Sequence, residues 1–415
     1  MWHIVGIASR MCLELGLHRE QVYKLPRGTA GSISSKQMVA HEVRRRCFWC
    51  VVAMDRVVSI TLGRSLAINL QDADILLPDP SLDTTVNHCE SDTDHLAPTF
   101  CRTALFVHIV RYRIICGKIL SALHNGSTRT QTDEAPALAA RERLAHELAT
   151  WRRNTADLSL SDVELSSTLP GDRSSFRTRE WYEMLYQNAL LMLYRPSPGL
   201  SSASSRDAVV LQTIFIAAKQ AITLYAHLHR SRRINYTWIT LHSVFMAGLS
   251  YVYAVGRHFR SHKWNLSTST PTALLDNDPT IIEIVNDSRA CSSILVAISE
   301  RWNVTKNCHD VFNCLSDAML SYAVEYHTKN SGPARDVLPD TSISAGGTGN
   351  TTLNYWPIDE TGPVSLAVDS VLYECFDDLQ RFQPYGCGDD PVGQLSHDWL
   401  GEIGGTELNK MPPIC

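Results

Sequence analysis

At 415 residues the chain has room for two or three ordinary domains or one large helical one, and 44% hydrophobic with 20% charged residues excludes a wholly disordered or fibrous chain. No apolar run reaches the ~20 residues that would span a bilayer. The net charge of −5 excludes binding nucleic acid through the overall field, and Asp359 to Cys415 holds eleven Asp and Glu against Arg381 and Lys410, leaving the tail at −9 and the rest at +4.

Helical periodicity runs through the chain and predicts an all-α fold: a large multi-helix domain of long antiparallel-packed helices, then a flexible linker and an acidic, partly disordered tail. Helices are predicted over about 2–16, 35–62, 99–123, 136–153, 175–194, 206–230, 236–260, 280–302 and 304–329. In the first, Trp2, Ile4, Val5, Ile7, Ala8, Met11, Cys12, Leu13 and Leu15 leave only a narrow polar strip, so this helix expects neighbours on most sides. In the second, Ser34 and Gln37 form a capping-box pattern and Gly63 supplies a left-handed stop. Val43, Cys47, Cys50, Met54, Val57 and Thr61 step by four and three, which predicts a packing seam. Glu42 is spaced to pair with Arg45 or Arg46, and Asp55, close to the apolar side, would if buried need a cation, for which Arg64 is a candidate, or several donors.

The segments 79–98, 195–205 and 267–279 combine Pro with acidic or hydroxyl residues and read as loops. Ser243 to Gly256 is apolar but short, and reads as a buried core helix rather than a membrane span. A Gly, Pro and Ser-rich linker over 330–354 separates a body at 1–329 from a tail at 355–415. In that tail Val368, Leu372, Phe376 and Leu379 repeat at helical spacing among aspartates, the composition of an amphipathic segment that a coactivator groove would take.

Catalytic and metal patterns are missing from the sequence. His41-Glu42 lacks the second histidine four residues after the first, and there is no Gly-x-Ser-x-Gly elbow, phosphate loop or dinucleotide fingerprint, so no enzyme is expected. Twelve cysteines form no disulfide framework, which suits reduced thiols. Cys47-x2-Cys50 lies on a helix with no third and fourth ligand in pattern, so core packing is expected of it. Three consecutive arginines, Arg44, Arg45 and Arg46, point about 100° apart on a helix and cannot form one flat basic stripe.

The run Trp2, Gly6, Ala8, Arg10, Leu15-Gly16-Leu17-His18-Arg19, then Glu42, Arg44, Arg45, Arg46, Phe48-Trp49, Asp55-Arg56, Ser59 and Gly63-Arg64, followed by Asp72, Asp74 and Leu77-Pro78, resembles the regulatory domain of fungal binuclear zinc-cluster transcription factors. Tyr194-Arg195-Pro196 and Ala247-Gly248 fit the same pattern, while Phe48 and Ser65 stand where the family usually has Trp and Pro. The resemblance implies family-motif structural roles for Gly16, His18, Arg19, Glu42, Arg44, Arg45, Arg46, Trp49, Asp55, Gly63, Arg64 and Pro78. It implies a nuclear transcriptional regulator that can take a small-molecule effector and form homodimers or heterodimers with related regulators. The coactivator reading of the tail rests on composition, and stands beside that of a solvated terminus whose helix docks back on the body. DNA is then read by a separate N-terminal module in which six cysteines hold two zinc ions. That spacing does not occur in these residues, so the domain is expected to be N-terminally truncated, with no cofactor of its own. The alternative is a DNA-binding-deficient helical interaction protein that associates with such regulators.

Overall fold

Local chemistry marks the ends of several helices. In the computed structural model, which describes residues 1–23, 35–82, 102–124, 135–158, 160, 178–196, 207–264, 275–300 and 306–330, these residues form nine α-helices and no strand. They are α1 (Trp2–Glu14), α2 (Ser35–Leu62), α3 (Arg102–Ile119), α4 (Ala135–Asn154), α5 (Arg179–Tyr194), α6 (Asp207–Arg230), α7 (Trp238–Trp264), α8 (Ile281–Ser299) and α9 (Lys306–Asn330). The all-α expectation holds, helix by helix.

Gly16 ends α1 at φ +68°, with the Leu17 amide donating to the Cys12 carbonyl at 2.9 Å and Gly16 to Leu13 at 3.0 Å, the bond pair of a Schellman turn. Gly63 ends α2 at φ +60°, and the Arg64 amide reaches back to Ser59 at 2.8 Å. Thr178 caps α5 by accepting from the Trp181 amide, and Thr280 with Glu283 forms a full capping box on α8. Ser34, the linker and the tail helix lie outside the described residues.

Successive helices pack on one another from α1 to α7, and α8 and α9 close against α7. Val244, Ala247, Leu249, Tyr251, Ala254 and Val255 of α7 are all fully buried, as a core helix requires. Helices α6 and α7 are long and apolar enough to cross a membrane by composition, but α7 is spent on protein neighbours. Gly248 makes that possible: a Cβ there would lie 2.7 Å from Cys291 Sγ and from the Phe312 ring.

Two apolar clusters result. The larger joins α3 to α9, and the smaller gathers Cys12, Leu17, Tyr23, Phe48, Trp49, Val52, Ile68 and Val110 around α2. Helix α1 meets α2 through Val5, Ser9 and Cys12, while Ile4, Ile7, Met11 and Leu15 face outward. The predicted seam of α2 is corrected. Val43 is 59% exposed and Cys47 is exposed, whereas Glu42, Phe48, Trp49, Val52, Asp55, Arg56 and Ser59 are buried. The buried stripe carries charges, so an apolar periodicity looks for it on the wrong face.

Candidate functional site

Two sites are built on α2. The first is a set of buried charges that fastens residues 64–79 to the helix. Asp55 is 1% exposed and its carboxylate accepts from the Ala67 amide at 3.0 and 3.1 Å, the Ile68 amide at 3.2 Å, the Ser59 hydroxyl at 3.4 Å and Arg56 Nη1 at 2.7 Å. Arg56 is equally buried and donates its other arm to the Ile68 carbonyl at 2.8 Å. Burial pulls the Arg56 pKa down while Asp55 beside it works the other way. Room for this guanidinium comes from Gly117 of α3, where a Cβ would lie 3.2 Å from Arg56 Cγ. The cation expected to pair with Asp55 was Arg64. That is corrected: Arg56 is the partner, and Arg64 sits 5.7 Å from the Trp2 ring centroid, at the start of α1.

More than three turns earlier Glu42, also buried, accepts from Arg46 Nε at 3.0 Å, Arg45 Nη1 at 3.4 Å and the Asp79 amide at 3.2 Å. Arg45 continues to Glu20 at 3.5 Å and covers the Tyr23 ring at 5.1 Å. Trp49 Nε1 donates to the Leu76 carbonyl at 2.8 Å, Asp74 accepts from the Glu20 amide at 2.8 Å, and the His18 carbonyl accepts from Asp74. Pro78 is buried beside this clasp, while Arg19 and Arg44 are exposed. Gly16 and Gly63 set the two turns that bracket it. These groups form a structural clasp with no nucleophile and base in contact.

Cys47 is exposed and Cys50 half-buried, so core packing describes neither well. Their neighbour is Cys12 on α1, whose thiol burial pushes up to about 11, with Cys47 in hydrogen-bond contact adding to the shift. Among the described residues no three His, Cys, Asp or Glu groups come together to hold a metal.

The second site is a cavity of about 190 Å³ enclosed by α2, α3, α5, α6 and α7. Val57, Ile60, Leu185, Met192, Leu228 and Met246 give it apolar walls. Arg113, Arg195 and Arg233 line it together with His242, and none of the described lining residues is Asp or Glu. Arg195 follows the last turn of α5, where its amide still bonds to the Leu191 carbonyl at 2.9 Å. Loss of water around its guanidinium brings its pKa down to about 10. Its half-buried surface opens on the cavity it lines. His242 is held down to about 4 by burial and then by Arg195, and His124, in the π-helical turn Leu120–His124 after α3, down to about 3 for the same two reasons. Both imidazoles are neutral at physiological pH, leaving the arginines as the charge of the site. Sequence reasoning placed Arg195 in the family pattern but not at a site. The signal available was an arginine after the apolar run LLMLY with no acid within a helical turn.

The described residues thus make an all-helical body with a buried clasp on α2 and a cavity beside it. The comparisons with known proteins go further. Residues 1–153 match the family model described as "Fungal specific transcription factor domain", the family that the motifs of this stretch resemble. It is 23% identical over 384 residues to the "Positive regulator of purine utilization" of Emericella nidulans, covering 80% of this chain and 34% of that protein. It is 23% identical to the "Pyrimidine pathway regulatory protein 1" of Saccharomyces cerevisiae, over 61% of this chain and 26% of that protein. To an "Acetamidase regulatory protein" of Aspergillus fumigatus it is 27% identical, over 59% of this chain and 27% of the relative. The chain therefore spans about a quarter to a third of these relatives. No solved structure matches.

Proposed function

We propose that this chain is the regulatory part of a nuclear transcriptional regulator of the fungal zinc-cluster type, and not an enzyme. The observation that carries this is the domain match over residues 1–153, which covers the α2 clasp, together with relatives named as regulators. DNA contact and its two zinc ions belong to a separate module. The body at 1–329 receives the signal, through a small effector or a second regulator chain, and the acidic tail at 355–415 recruits a coactivator.

The test is a reporter assay with the whole chain fused to a foreign DNA-binding domain. Reporter output that rises or falls relative to the DNA-binding domain alone is expected, and Asp55→Ala should abolish the change. Output equal to the control, with the fusion present in the nucleus at matched levels, would reject the reading.

A further inference from the structure

We propose that the cavity walled by α2, α3, α5, α6 and α7 binds a small organic anion, a carboxylate or phosphate group on an apolar body of about one ring, with its charge set against Arg195. Binding stands on the cavity alone. Its meaning as a signal rests on the regulatory role proposed above.

The charge argument comes first. Arg195 is half-buried, loses enough water to lower its pKa, and makes no ion pair or side-chain hydrogen bond among the described residues. A cation taken out of water without a counterion is expensive, and proteins keep one only where something repays the cost. Nothing in the lining does. Arg113 lies 5.1 Å from the Tyr112 ring centroid, Arg233 is exposed at the rim, and neither carries a carboxylate partner among the described residues. The imidazoles beside Arg195 do not help, since His124 Nε2 is engaged with the Met192 carbonyl at 2.8 Å and His242 is neutral. An incoming oxyanion would find a planar, desolvated donor fork already in place, the geometry that favours carboxylate and phosphate.

Size and polarity set the rest of the ligand. A cavity of about 150 Å³ takes benzene, so about 190 Å³ takes one ring with a short charged substituent. The apolar walls suit such a body. Asn188, which donates to the Tyr225 hydroxyl at 2.8 Å, leaves a polar edge opposite them. A neutral ligand of equal shape would leave the guanidinium unanswered.

The experiment uses the full 415-residue chain and three anion and neutral pairs: benzoate and benzamide, hexanoate and hexanamide, phenyl phosphate and phenol. Calorimetry and thermal melts measure each. At least one anion should bind at least ~10-fold tighter than its neutral counterpart, the discrimination that one charge-assisted hydrogen-bond set provides. Preference for benzoate or hexanoate marks a carboxylate ligand, and preference for phenyl phosphate marks a phosphate ester. Arg195→Met should erase the preference and also raise the melting temperature of the ligand-free chain, because an unpaired buried cation has gone; a merely structural arginine would do the opposite. Arg195→Lys should keep part of the preference. The proposal is overturned if no anion binds at ~10 mM, if neutral partners bind as well, if the preference survives Arg195→Met, or if that variant melts lower, as it would were the cavity filled by an acidic segment of the chain itself. A silent reporter with intact anion binding would remove the regulatory role and leave this site standing.

Discussion

Replacing Asp55 by Ala removes the acceptor of the backbone amides that tie residues 67 and 68 to α2. The Ala67 and Ile68 amides lose their partner, and Arg56 keeps only the Ile68 carbonyl at 2.8 Å. Breaking a buried ion pair from one side costs about 3–5 kcal/mol, because the surviving charge stays buried without compensation. With a urea slope of about 3 kcal/mol/M, the unfolding midpoint should fall by roughly 1–1.7 M. Asp55→Asn keeps one oxygen for the amides and should cost about 2 kcal/mol. The double variant Asp55→Ala/Arg56→Met separates charge burial from shape: it should be more stable than Asp55→Ala alone, since the orphaned cation is gone. Urea titrations followed by circular dichroism and by tryptophan emission give the three midpoints. An Asp55→Ala loss under ~1 kcal/mol, or a double variant as unstable as the sum of the singles, would refute the account.

Gly248→Ala should destabilise by about 1–3 kcal/mol in a thermal melt, the contacts with Cys291 and Phe312 outweighing the better helix propensity of Ala; a higher melting temperature would count against the packing described. Glu42→Ala removes the acceptor of the Asp79 amide and the carboxylate shared by Arg45 and Arg46, and should cost about 2 kcal/mol, with limited proteolysis first cutting near residues 76–79. His108 stacks on Trp151 at 4.6 Å and burial lowers its pKa to about 4, so the folded chain holds it neutral while the unfolded chain takes a proton below 6.5. Its depressed value makes stability fall as pH drops from 6.5 toward 4, by about 3 kcal/mol in all, and His108→Phe should flatten that slope by about 1 kcal/mol per pH unit.

The helices could be read in the sequence because 3.6-residue periodicity and Gly or Thr boundaries are local facts. Gly16 and Gly63 stop α1 and α2 by the left-handed geometry their positions suggest. The orientation of α2 could not be read that way, because its buried stripe includes Glu42, Asp55 and Arg56, residues that pattern reasoning assigns to solvent. Arg64 looked the natural partner of Asp55, standing just past the helix end, yet the adjacent Arg56 wins because the turn after Gly63 brings the amides of Ala67 and Ile68 back over the same carboxylate. The cavity is further still from local pattern. Its walls come from five helices, between Val57 and Ser250, and only their packing shows that Arg195 faces no acid among the described residues.

The two sites share their scaffold. Val57, Ile60 and Thr61 line the cavity less than two turns after the Asp55–Arg56 pair, and on α3 Cys116 lines it while the next residue, Gly117, packs against Arg56. Ser59 spans the gap, its hydroxyl within reach of both Asp55 and the Ser65 carbonyl. A ligand can shift a protein only through contacts that differ between two arrangements, and the elements it could move here are the second half of α2 and the face of α3. The clasp makes α2 and residues 64–79 one body, because Asp55, Glu42 and Trp49 bind that segment at three successive levels of the helix. A ligand that displaced Ile60 would act on this unit, whose far end carries the exposed Val43. Loosening the clasp at Asp55 would uncouple the cavity from that surface even where the anion still binds.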